Sequence, residues 1–280
     1  MENKKFKIVA DSSANLHSFE ACPFASAPLK IIAGDRQWVD NAENNVEEMV
    51  EFLLKYNGKS GSACPAPADW QDAFEDYENI YCVTITSNLS GSFNSASIAA
   101  EDYMAQYPGR KVHVFDSLSA GPELHLIVEK IAELANADMC FEAVVEGVNA
   151  YMQKTGLVFC LERMQNLANN GRCTHLAAKA AGILNIRPLG VASDVGTLEM
   201  LDKPRGEKRA IASALATMKD KGYAGGKVYI ANCMNPVMAQ SLENAIHAEF
   251  PEANVLVYPT TALCSFYAEK GGLMIGFEKA

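Results

Sequence analysis

Three times in the first half of the chain a short β-like run gives way to a polar loop, with helical spacing further on. Lys5 to Ala10 enters Asp11-Ser12-Ser13-Ala14-Asn15. Ile80 to Ile85 enters Thr86 to Gly91, with helical spacing from Phe93 onward. Lys111 to Phe115 enters Asp116-Ser117-Leu118-Ser119 and then a long helical stretch from Glu123 to Ala135. This rhythm predicts a parallel sheet with crossover helices. In such sheets ligands bind at the carboxyl ends of the strands, where these polar loops lie.

Between the first two repeats, an apolar run from Leu29 to Ala33 precedes the turn Gly34-Asp35. Apolar residues at Val46, Met49, Val50, Leu53 and Leu54 mark a helix over 45–56, and Asp69 to Glu75 forms a shorter one. The breaker-rich stretch from Gly58 to Pro67 reads as loop. Past residue 155 the rhythm changes. A helix from Phe141 to Gln153 leads into the apolar run Leu157 to Leu161, and short helices are expected after Arg172. Two β-like runs, Ile186 to Ala192 and Thr197 to Leu201, flank a hairpin turn at Ser193-Asp194-Val195-Gly196. Helix, strand, helix and strand then follow at Lys208–Lys219, Lys227–Ala231, Met238–Glu249 and Val255–Tyr258. The expectation is α/β in two domains: a Rossmann-like parallel-sheet domain over 1–155 and an α+β domain over 156–280.

Composition matters mainly for what it excludes. With 34 acidic and 24 basic side chains the net charge is −10, the wrong sign for broad nucleic-acid binding. No apolar run is long enough for a membrane-spanning helix, so an integral membrane protein is not expected. The start Met1-Glu2-Asn3-Lys4-Lys5-Phe6-Lys7 does not read as a signal peptide, which points to the cytoplasm. The eight cysteines (Cys22, Cys64, Cys82, Cys140, Cys160, Cys173, Cys233 and Cys264) form no CxxC pair. They read as reduced, mostly buried thiols. The histidines are equally scattered, so spacing offers no metal site.

Three hydroxyl-rich segments stand out: Asp11-Ser12-Ser13, Ser60-Gly61-Ser62, and Thr86-Ser87-Asn88-Leu89-Ser90-Gly91-Ser92. A helix start preceded by Gly and Ser offers free N–H groups and a hydroxyl, a cradle for a carboxylate or phosphate. Helix capping by serine alone accounts for any one of them. Three at one sheet edge favour binding. Catalytic motifs are sparse. Gly58-Lys59-Ser60 imitates the end of a P-loop, but Leu53 stands where its first glycine belongs. Ser90 lacks the first glycine of a nucleophile elbow and has no histidine nearby in sequence. Over 161–210 eight basic residues outnumber five acidic ones, which suits docking of an acidic or phosphate-bearing partner as well as an ordinary solvated face.

Taken together, several segments resemble the DegV family. Lys7-Ile8-Val9-Ala10-Asp11-Ser12-Ser13-Ala14 is similar to its opening motif, and Ile85 to Ala96 to its serine-rich central motif. Val114-Phe115-Asp116-Ser117, Asn170-Gly171-Arg172, Gly182 to Leu189 and Lys203 to Ala210 follow in family order. The resemblance implies two α/β domains with a fatty acid, of C14 to C18 length, in a tunnel between them. It implies no catalysis by this chain and no cofactor. A separate fatty acid kinase subunit would phosphorylate the bound carboxyl group, a step that feeds phospholipid metabolism. Carried over by position, Ser62, Ser90, Gly91 and Ser92 hold the carboxylate, with Ser12, Ser13, Cys64 and Tyr267 as further ligand-binding candidates. Arg172, Lys203, Arg205 and Lys208 are the candidates for partner docking.

Two departures bear on the site. The family's TSQPSP loop is Ser62-Ala63-Cys64-Pro65-Ala66-Pro67 here, which trades a polar contact for Cys64. The family's C-terminal HxGPG element is absent, and its histidine falls at Tyr267 or Ala268. A buried acyl chain is energetically reasonable, since about 0.8 kcal/mol per methylene gives on the order of 10 kcal/mol before ordering costs. The alternative is an enzyme, either a serine hydrolase using Ser90 or a phosphotransferase related to dihydroxyacetone kinases. A hydrolase needs a base such as His113, His125, His175 or His247 beside Ser90.

Overall fold

A computed structural model describes residues 5–174 and 185–280. The expected short helices after Arg172, His175 and residues 182–184 of the Gly182 to Leu189 element lie wholly or largely outside the described residues. In the first half the elements are β1 (Phe6–Asp11), β2 (Phe24–Ala27), β3 (Lys30–Ala33), β4 (Arg36–Val39), α1 (Val46–Lys55) and β5 (Ser60–Ala63). They continue with α2 (Pro67–Phe74), β6 (Asn79–Thr84), α3 (Ser92–Gln106), β7 (Lys111–Asp116), α4 (Pro122–Asn136) and α5 (Phe141–Met152). Four strands form a wholly parallel sheet in the order β2-β1-β6-β7. Trp70, Phe74, Ala96 and Tyr103 of α2 and α3 cover one face. Leu124, Ile127, Ile131 and Val148 of α4 and α5 cover the other. Two-sided cover is what continuous apolar strands such as Ile80 to Ile85 require.

Ser60–Ala63 corrects the loop expected over 58–67. It is a strand, paired antiparallel to β3 in a separate sheet ordered β4-β3-β5, with Ser62 opposite Ile31. Its Gly and Ser content argues against β structure, but backbone pairing with β3 overrides that weak local preference.

The second domain contains β8 (Thr155–Cys160), α6 (Gln165–Asn169), β9 (Leu189–Ala192), β10 (Leu198–Asp202) and α7 (Glu207–Asp220). Then come β11 (Val228–Asn232), α8 (Pro236–Glu249), β12 (Val255–Pro259), α9 (Ala262–Ala268) and β13 (Leu273–Glu278). Its sheet runs β10-β9-β8-β13-β11-β12, antiparallel except at β11–β12. The expected hairpin joins β9 to β10, closed by Ser193 and Gly196. α7 and α8 pack one face through Ala214, Met218, Leu242 and Ile246.

The opposite face meets α4, which is therefore enclosed by both sheets, with nine of its residues buried. Gly276 of β13 permits that contact. A Cβ there would lie 2.6 Å from the Glu123 backbone nitrogen. Among the described residues no helix is long and apolar enough to cross a membrane.

Candidate functional site

A narrow cavity lies between the two domains. Its floor comes from the second sheet. Phe159 of β8 and Met274 of β13 are direct cross-strand partners, and both line it. Two glycines leave room for these large side chains: a Cβ at Gly190 would meet the Phe159 ring at 2.4 Å, and one at Gly121 would meet Met274 Cε at 2.6 Å. Leu29, Ile85, Leu89 and Ala120 reach in from the first domain. Burial pushes the Cys264 thiol well above its ordinary pKa, so it adds a neutral wall. Apart from that thiol, the polar lining side chains among the described residues are Ser62, Ser90, Arg172 and Tyr267.

These four come from distant parts of the sequence. Ser62 projects from β5, and its Oγ lies 2.8 Å from the Tyr267 Oη on α9. Arg172 Nε donates to the Leu89 carbonyl at 3.1 Å, and its Nη1 donates to the Asn170 carbonyl at 2.6 Å. Its guanidinium carbon lies 5.8 Å from the centroid of the Tyr267 ring. Ser90 Oγ accepts the Ser92 N–H at 3.2 Å, just ahead of α3. Gly91, the residue ahead of that helix, has no side chain to cap it, and Ser90 takes the N–H of the first helical residue, Ser92.

Behind the lining sits Asp11, fully buried at the end of β1. Its carboxylate accepts the Ser92 hydroxyl at 2.6 Å, the Ile85 N–H at 2.9 Å, and both the N–H and hydroxyl of Ser13. Burial raises its pKa, and these donors oppose that rise. Ser12 Oγ accepts the Leu29 N–H at 3.0 Å, fixing a lining residue. Thus Ser12, Ser13 and Ser92 stand behind the lining with hydroxyls engaged by protein. Ser62, Ser90 and Tyr267 face the cavity. Cys64 is set beside Gly91, 3.3 Å from where a Cβ would be, and is not part of the lining. Arg172, a candidate by sequence for partner docking, lines the cavity. Lys203, Arg205 and Lys208 are exposed around the β10–α7 connection, away from it.

Among the described residues no histidine lines the cavity. His113 on β7 packs against Phe115. His125 on α4 lies among Phe19, Tyr229 and Tyr258, and His247 is on α8. Sequence reasoning missed Asp40 and the reach of α9. The apolar run Leu273–Glu278, bounded by Gly271-Gly272, was a signal for β13 and so for Met274.

The DegV family model, described as "Uncharacterised protein, DegV family", matches residues 5–280. A DegV domain-containing protein of Streptococcus pneumoniae (strain ATCC BAA-255 / R6) is 43% identical over 277 residues, 98% of this chain and 99% of the relative. The crystal structure of the Streptococcus pneumoniae Fatty Acid Kinase (Fak) B3 protein loaded with linoleic acid superimposes with a TM-score of 0.96. It is 43% identical, and the match covers 99% of this chain and 100% of that one. A DegV family protein from Eubacterium eligens loaded with heptadecanoic acid also gives a TM-score of 0.96, at 36% identity, over 98% of this chain and 100% of that one. On full-length agreement of sequence and fold, the chain belongs to the DegV family.

Proposed function

We propose that this chain binds one long-chain fatty acid in the interdomain cavity and presents its carboxyl group to a separate fatty acid kinase subunit. The observation that carries this reading is the cavity itself, apolar over most of its lining, with a few hydrogen-bonding side chains in Ser62, Ser90, Arg172 and Tyr267. That composition suits an acyl chain with a single anionic head. The relatives with linoleic and heptadecanoic acid support the ligand class, and the Fak B3 relative supports the kinase partner. In this reading Ser90 and the free O–H of the Ser62–Tyr267 pair donate to the carboxylate, the Gly91 and Ser92 segment contributes the start of α3, and Arg172 supplies positive charge. Asp11 and Ser92 hold Ser90 in place. Lys203, Arg205 and Lys208 form the exposed docking candidates.

The chain acts as a carrier and the kinase performs the chemistry. A hydrolase would need a base at Ser90, and the described cavity lining contributes none. The division at residue 155 and a cytoplasmic location belong to the same proposal. To test it, delipidated protein is titrated with palmitate and oleate, and the loaded protein is then mixed with ATP and a fatty acid kinase catalytic subunit. Saturable 1:1 binding followed by acyl phosphate formation is expected. Failure of the folded protein to bind either acid overturns the reading.

A further inference from the structure

The small sheet β4-β3-β5 grips α9 at both ends. At one end is Asp40, the residue after β4, whose side chain is fully buried. Its carboxylate accepts the N–H groups of Ala262 at 2.8 Å and Leu263 at 3.0 Å, and the Thr261 hydroxyl at 3.1 Å. Thr261 has no side-chain cap of its own, so the first turn of α9 is held by a carboxylate 221 residues away in sequence. At the other end is Ser62 of β5, 2.8 Å from the hydroxyl of Tyr267 in the last turn. Asp40 directly follows β4 and Ser62 lies in β5, strands of one hydrogen-bonded sheet with β3 between them. The distance between the grips is therefore fixed by β-pairing, and the rotation of α9 is fixed by two N–H contacts.

The consequence is chemical. When two hydroxyls share one hydrogen bond, the accepting one keeps its own O–H free for a third group. The Ser62–Tyr267 pair can aim such a donor into the cavity only while α9 keeps its present rotation. A helix turned by a fraction of a residue would carry Tyr267 away from Ser62. We infer that Asp40 is a positioning residue for the carboxylate site: it caps α9 from the first domain and so sets the Ser62–Tyr267 pair to receive an anionic head group. The inference rests on the fatty-acid reading above.

Asp40→Asn tests it. The amide turns two donor hydrogens toward groups that themselves donate, so at least one of the Ala262 and Leu263 N–H groups loses its partner. Binding of palmitate and of uncharged 1-hexadecanol is measured for wild type, Asp40→Asn, Tyr267→Phe and the double variant. The expected result is about a tenfold loss for palmitate in each single variant, as befits a hydrogen bond to a charged group. Affinity for 1-hexadecanol should stay within about twofold, and the double variant should be no worse than the poorer single variant. The carboxyl 13C resonance of bound [1-13C]palmitate should move in Asp40→Asn as it does in Tyr267→Phe. Equal losses for both ligands, or additive losses in the double variant, overturn the inference. If Asp40→Asn does not fold, Thr261→Val removes one donor to the same carboxylate and is read by the same comparison. Failure of the wild type to bind palmitate counts against the fatty-acid reading, a different outcome from any of these.

Discussion

The hydroxyls of Ser62 and Tyr267 lie 2.8 Å apart across the join between the two domains, although 205 residues separate them in the chain. The pair closes the polar corner of a cavity that is otherwise largely aliphatic and aromatic. Removing either hydroxyl leaves the apolar wall intact and takes away one donor. Ser62→Ala and Tyr267→Phe are each expected to weaken palmitate binding by about tenfold or more, the worth of a hydrogen bond to a charged group. Competition titration against a fluorescent fatty acid provides the check, and unchanged affinity in both variants would place the head group elsewhere.

Arg172 brings a formal positive charge to the cavity, and its fork is already oriented by the carbonyls of Leu89 and Asn170. Arg172→Ala should weaken binding of the carboxylate by roughly tenfold to a hundredfold, with little change for 1-hexadecanol. Arg172→Lys should recover only part of the loss, because an ammonium cannot hold two carbonyls in a planar fork. The two ligands measured side by side on each variant decide the matter.

Ala120 lines the cavity and is itself nearly buried, so a larger side chain there has to enter the space. Ala120→Leu adds three carbons and should shorten the preferred acid by roughly as many methylenes, while the fold tolerates the extra volume at a cost of about 1–3 kcal/mol. Chain-length profiles from C12 to C20 measure the effect. An unchanged profile in a folded variant would show that the acyl chain runs elsewhere.

His125 makes stability depend on pH. Burial lowers its pKa from 6.5 to about 4, with Glu129 opposing that fall and Lys227 adding to it. Below 6.5 the unfolded chain gains a proton that the folded chain refuses, so stability falls as pH drops through this range and on to about 4. The loss is on the order of 3 kcal/mol at the acid end. Asp11 and Glu123, raised by burial, act in the opposite sense, but they are common to wild type and variant. Guanidinium unfolding of wild type and His125→Phe at pH 7 and pH 4.5 isolates the histidine. The gap between the two pH values should shrink in the variant.

The parallel sheet was legible because its strands are apolar runs followed by polar loops, and both signals are local. β5 was not, since Ser60-Gly61-Ser62-Ala63 is a strand only through its pairing with β3. Within the site, Ser62 and Ser90 were named from sequence, but the reason for the serine-rich segments was only half readable. Asp11 at the head of one of them is a clue that these hydroxyls serve a buried carboxylate, as Ser13 and Ser92 do. Arg172 reads from sequence only as a candidate for partner docking, because no spacing rule brings it over Tyr267. Asp40 gave no local signal at all: its partners, Ala262 and Leu263, are more than two hundred residues away.

Mass spectrometry of the organic extract from the purified, denatured protein addresses the central claim most directly. One equivalent of a C14 to C18 fatty acid is expected from protein purified from bacteria, with little or none from a Ser62→Ala, Ser90→Ala double variant of equal stability. An empty extract from the wild type, together with no uptake of added palmitate or oleate by the folded protein, would contradict the account.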